Sequence, residues 1–131
     1  MATCLSRPFL YLCGVLYLGF GLWVLLDPYS GPASLASGDT GGTLLDVTGT
    51  HGGFNVAVGL FMLFAAGTPA WHRPGLLLVA LMNGGYLAGR LIELALYGSQ
   101  SNVLAAVMAL ETVLCAVAIS MAVRRRAVPV R

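Results

Sequence analysis

GLLLVALMNGGYLAGRLIELALY, residues 75–97, carries only two charged side chains, Arg90 and Glu93, and is long enough to cross a bilayer as a helix. A helical crossing needs about 20 mainly apolar residues. Three further stretches qualify, and together they decide the fold class. Phe9–Leu26 is closed by Asp27-Pro28. Gly52–Gly67 is short alone but extends at its start through Leu44–Thr50, and Val103–Val123 ends in a run of arginines. The expectation is an all-α integral membrane four-helix bundle. It is a single domain, 1–131, with spans at about 9–26, 48–67, 75–97 and 103–123 and an outer loop at 27–47.

Composition supports this and excludes other classes. The chain is 58% hydrophobic and 9% charged, with a mean hydropathy of +0.85. Soluble domains average about 25% charged residues. Seven arginines, no lysine and five acids leave a net charge of +2, too small and too dispersed for nucleic-acid binding.

The arginines report topology. Arg7, Arg73, Arg124–Arg126 and Arg131 flank the N-terminus, the second connection and the C-terminus. The first connection holds Asp27, Asp39 and Asp46 without an arginine, and the third holds no charge. Four crossings put every arginine-bearing segment on one side, which the positive-inside tendency makes the cytoplasm. Both termini are expected there, in a bacterial inner membrane. Phe9–Leu26 is longer than the apolar region of a signal peptide, and the cleavage-like Ser34-Leu35-Ala36 lies well beyond it. It is therefore expected to be a retained span.

Asn83, Tyr86, Arg90, Glu93 and Tyr97 follow a 3, 4, 3, 4 spacing, which places them on one helix face. In a membrane such a polar face is expected to point into the bundle. Gly85-xxx-Gly89 beside it is a helix-packing pattern. Arg90 stands seven residues before Tyr97, roughly 10 Å along a helix axis. Glu111 stands eight residues after Val103, roughly 12 Å in from the same end. A hairpin centred on Gln100 sets Arg90 opposite Leu110 or Glu111, so Arg90 and Glu111 are expected to pair. Glu93, one turn from Arg90, is left without a full partner.

Gly52, Asn55, Gly59 and Met62 share a face of the second helix, with Asn55 level with Glu93 and with His51 and Asp46 just above. The candidate ligand-binding set is thus His51, Asn55, Tyr86, Arg90, Glu93 and Glu111. Asn55 and Asn83 also suit interhelical hydrogen bonding. His72, between Trp71 and Arg73, reads as a cytoplasmic interface residue, and Trp23, Tyr29, Trp71 and Tyr97 suit an aromatic belt. Cys4, Cys13 and Cys115 have no metal or disulfide spacing, and His51 and His72 are too far apart to share a ligand. No metal, cofactor or catalytic set is expected.

One resemblance adds to this. Asp46, His51-Gly52-Gly53-Phe54-Asn55, Gly59-Leu60, Gly89-Arg90-Leu91, Gly98 and Glu111 stand in an order that resembles a bacterial family of four-helix membrane proteins. That family is known as a domain of unknown function and is broadly similar to the DoxX-like group. The resemblance covers helix 1 to helix 4. It implies the same four-helix fold and importance for Gly53, Arg90 and Glu111. Family members tend to carry an acidic residue before the glycine that follows helix 3, where this chain has Tyr97-Gly98. Some DoxX-like relatives are linked to quinone-coupled sulfur oxidation, but this chain has no matching cysteine or histidine pattern.

Two functions compete at this level. The favoured one is a non-enzymatic binding or accessory protein. Its outer-half polar pocket would hold a membrane lipid or a small quinone-like amphiphile, or its helices would dock a membrane-protein partner or a second copy. The alternative is a membrane-embedded enzyme in which Glu93 or Glu111 is the general acid or base and Arg90 stabilises negative charge. A transporter ranks third, because no internal repeat is visible.

Overall fold

The computed structural model describes residues 2–29, 48–98 and 102–124, and among them every regular element is helical. Helix α1 is Ala2–Leu26. A π-helical turn, Thr48–Gly53, leads into α2, Phe54–Gly67. A 3₁₀ turn, Pro69–Trp71, leads into α3, His72–Tyr97, and α4 is Asn102–Arg124. Residues 30–47, with Asp39, Asp46 and Ser34-Leu35-Ala36, lie outside the described residues, as do Gln100, Arg125, Arg126 and Arg131.

Among the described residues four segments are long and apolar enough to cross a membrane: Leu5–Leu26, Thr48–Gly67, Pro69–Tyr97 and Leu104–Arg124. Their ends have local causes. Asp27 precedes Pro28, and a residue before proline is pushed out of the helical region, so α1 stops at Leu26. Helix α3 begins at His72, ahead of the Gly75 start that the apolar run suggested. Pro74 is then in the first turn, where a missing N–H costs no helical hydrogen bond. At the other end Gly98 takes φ +68° and its N–H donates to Leu94 O at 3.0 Å. Glycine takes that left-handed cap without a Cβ clash.

The chain forms two compact units, Arg7–Pro69 and Met1–Ser6 with Ala70–Arg131. In the first, α1 and the Thr48–Gly67 segment run antiparallel and interlock. Along α1 the contact residues are Gly14, Leu18, Gly21 and Leu25; along its partner they are Gly52, Val56, Gly59 and Leu63. Both sets follow a 4, 3, 4 spacing, and each glycine meets a large residue across the seam. A Cβ on Gly59 would lie 2.5 Å from Leu18 N and 2.9 Å from Gly14 O. One on Gly21 would lie 2.6 Å from Val56 N and 2.7 Å from Gly52 O. Gly14 faces Leu63 and Gly52 faces Leu25 just as closely. Small residues that let backbones touch are the usual device where hydrophobic burial cannot hold helices together.

That seam corrects one expectation. Among the described residues nothing lies within 4 Å of a Cβ placed on Gly85 or Gly89, so this pair makes no close contact within its own hairpin. The face of Gly52, Asn55, Gly59 and Met62 is buried throughout.

In the second unit α3 and α4 form a helical hairpin. Leu76, Val79, Ala80, Met108, Ala118 and Ala122 are buried. Cys115 Sγ donates to Ala80 O at 3.4 Å and lies 3.5 Å from where a Gly84 Cβ would be.

Candidate functional site

The polar face of α3 changes character along its length. Asn83 is buried and its side-chain amide donates to Val79 O at 2.8 Å, one turn back on the same helix. Tyr86 and Arg90 are half-buried, and Glu93 and Tyr97 are exposed. The face therefore does not point inward as a whole, as the spacing suggested. It opens toward the C-terminal end of α3.

At the middle of that gradient Arg90 crosses to α4. Its Nη1 donates to Glu111 Oε1 in an ion pair. The Glu111 side chain is 9% exposed, whereas that of Arg90 is 28% exposed. The second carboxylate oxygen, Oε2, is buried with no hydrogen-bond partner among the described residues. The Tyr86 ring lies under the guanidinium, 5.8 Å from Arg90 Cζ to the ring centroid, close enough for a cation–π contact. The local order of α4 suits this arrangement. Thr112 turns its hydroxyl back to Met108 O at 2.8 Å, so the next polar side chain is satisfied within its own helix. Glu111 instead reaches across to α3, as Cys115 does one turn further along.

Arginine has five N–H donors in a planar fork. One is engaged by Glu111, and among the described residues no other acceptor takes up the rest. Chemically the arrangement offers a guanidinium whose charge is already balanced, backed by an aromatic ring and partly open. Glu93 stands one turn further along, exposed.

His51 and Asn55 belong to the other unit. The Asn55 side-chain amide donates to His51 O at 2.7 Å, one turn back into the π-helical turn. Thr50 Oγ1 lies 2.9 Å from His51 Nδ1. Of the six site candidates, Tyr86, Arg90, Glu93 and Glu111 thus share one helical hairpin, and His51 and Asn55 form a local pair within the Arg7–Pro69 unit.

One polar contact is not visible in the sequence pattern: His72 is 5% exposed and its Nδ1 lies 3.3 Å from Ser6 Oγ, itself fully buried. Arg73 Nε beside it is buried with no hydrogen-bond partner among the described residues. The available signal was Pro74 as a helix-start residue, which would have moved His72 from the loop into α3. Among the described residues no three His, Cys, Asp or Glu side chains gather to hold a metal ion.

No curated protein and no solved structure matches the chain. A family model, described as a domain of unknown function (DUF4345), matches residues 5–122, which takes in Arg90, Glu111 and all four apolar segments almost entirely. The chain belongs to this family, DUF4345, whose function is unknown.

Proposed function

We propose that the chain is a multi-pass protein of the bacterial inner membrane with both termini in the cytoplasm, and that it acts as a non-enzymatic binding or accessory protein. Its ligand is a lipid-like or quinone-like amphiphile, held by its polar head at Arg90. Broad kinship with the DoxX-like group belongs to the same proposal and rests on the four-span plan and the short glycine motifs.

The observation that carries it is the state of Arg90: a half-buried guanidinium with one donor committed to Glu111 and the remaining fork uncommitted. In a span, charged groups are costly and are kept where they meet a partner or a ligand. A purely structural pair needs only the Glu111 contact. The open edge, the Tyr86 ring and the exposed Glu93 one turn away go beyond that need. Under this proposal Arg90–Glu111 is an intramembrane ion pair that both fixes the hairpin and presents the donors. Tyr86 supplies a flat apolar wall with a hydroxyl at its edge.

Native mass spectrometry of gently solubilised protein tests this directly. The wild type should retain a defined small amphiphile, and Arg90→Ala should lose it. Arg90→Met combined with Glu111→Leu should lose it too, without leaving a buried unpaired carboxylate. An unchanged set of retained molecules in the folded variants would remove Arg90 from ligand binding.

A further inference from the structure

The charge count at the hairpin narrows the ligand. We infer that the group held by Arg90 is a neutral carbonyl, as in a quinone or an acylglycerol, and not a phosphate or a carboxylate. The inference rests on the binding role proposed for Arg90 above.

Glu111 is more than nine-tenths buried, and Arg90 is the only described group that donates to it, because its second oxygen has no donor. The charge of Arg90 is therefore spent on a partner that has no other compensation. The pair is neutral as a unit. Glu93, exposed one turn from Arg90, adds a second acidic side chain to the same face, so the formal charges of Arg90, Glu93 and Glu111 leave no positive excess. An anionic headgroup arriving there would lose its hydration and meet no net positive potential. A neutral carbonyl loses far less on leaving water. It still gains a charge-assisted hydrogen bond from an uncommitted guanidinium N–H. The fork geometry adds direction: its donors lie in the guanidinium plane, and Arg90 Cζ stands over the Tyr86 ring, 5.8 Å from its centroid. A planar carbonyl-bearing head or a flat ester fits along that wall, whereas a tetrahedral phosphate gains nothing from it.

The test uses the full chain in mild detergent and three probes of matched chain length. These are a decyl-substituted benzoquinone, a monoacylglycerol and a fatty-acid anion, each titrated while protein Trp and Tyr fluorescence and the unfolding temperature are followed. The neutral probes should bind at least ten-fold more tightly than the anion, and the stronger of the two identifies the source of the carbonyl. Arg90→Met with Glu111→Leu should weaken the neutral probes ten-fold or more. Glu93→Gln, at an exposed position where folding is not at risk, should tighten the anion several-fold, and Glu93→Gln with Glu111→Gln should tighten it further. A wild type that prefers the anion overturns the inference while leaving Arg90 as a binding residue. If no probe binds in an Arg90-dependent way, the inference fails together with the binding role on which it rests.

Discussion

Arg90 grips Glu111 by one oxygen only, and the other oxygen of that carboxyl is buried with no donor among the described residues. The two partners are unequal, since the guanidinium side chain is 28% exposed and the carboxylate is nearly enclosed. Losing either one has different consequences.

Arg90→Ala strands a buried carboxylate and should cost roughly 3–5 kcal/mol, the usual penalty for breaking a buried pair from one side. Glu111→Ala leaves a half-exposed arginine that can turn toward water, and should cost less. Replacing both, as Arg90→Met with Glu111→Leu, should recover most of the loss. Unfolding in mixed detergent, followed by far-UV circular dichroism, gives the order. Equal losses for the two single variants would mean that the burial difference has no energetic weight.

The α1–α2 seam makes a sharper claim. Gly59→Ala and Gly21→Ala each push a methyl into the backbone of the facing helix, and overpacking of this kind costs about 1–3 kcal/mol. Gly85→Ala meets open space in the described chain and should be neutral or slightly stabilising, because alanine is the better helix former by about 1 kcal/mol. Thermal melts of the three variants separate the cases. A Gly59→Ala protein as stable as wild type would show that the helices are not held this closely.

Ser6 and His72 form a buried polar contact, so Ser6→Ala removes a partner from a side chain that water does not reach. The expected loss is about 1–3 kcal/mol. Ser6→Thr, which keeps the hydroxyl, should lose less. Hydrogen exchange at the start of α3 should rise in Ser6→Ala, and unchanged protection there would count against the contact.

Gly98→Ala puts a Cβ on a residue at φ +68°, where the left-handed conformation costs an L-residue roughly 1–2 kcal/mol. The effect should appear as fraying of the last turn of α3, near Tyr97, in the same exchange measurement. Gly98→Asn should lose less than alanine, since asparagine tolerates this region.

Much of this architecture is legible in the chain alone, and the illegible parts have physical causes. Hydropathy marks the four long apolar segments because a helix of bilayer length needs an unbroken apolar run. The hairpin count is equally direct: two helices joined by a short connection must put residues equidistant from the turn side by side. Arg90 and Glu111 are nearly equidistant from Gln100, and Arg90 Nη1 does donate to Glu111 Oε1. The α1–α2 seam is different. Gly14 and Gly21, or Gly52 and Gly59, stand seven apart and look unremarkable until the helices lie antiparallel. The long connection between them gives no turn from which to count. Gly85-xxx-Gly89, by contrast, has the familiar four-residue spacing, yet no described neighbour approaches it. Arg73-Pro74 reads as part of the connection, yet α3 already begins at His72, because proline is welcome in the first turn of a helix.

The reciprocal glycine seam also limits how α1 and α2 can move. Every glycine is a socket for a large side chain opposite, and sockets recur at intervals of seven residues, about 10 Å along the axis. Any smaller slide drives Leu18 or Val56 off its glycine and onto the next ridge. The pair therefore behaves as a splined shaft, locked against sliding in both directions. The lock reaches into the wide turn at Thr48–Gly53, where Gly52 seats Leu25.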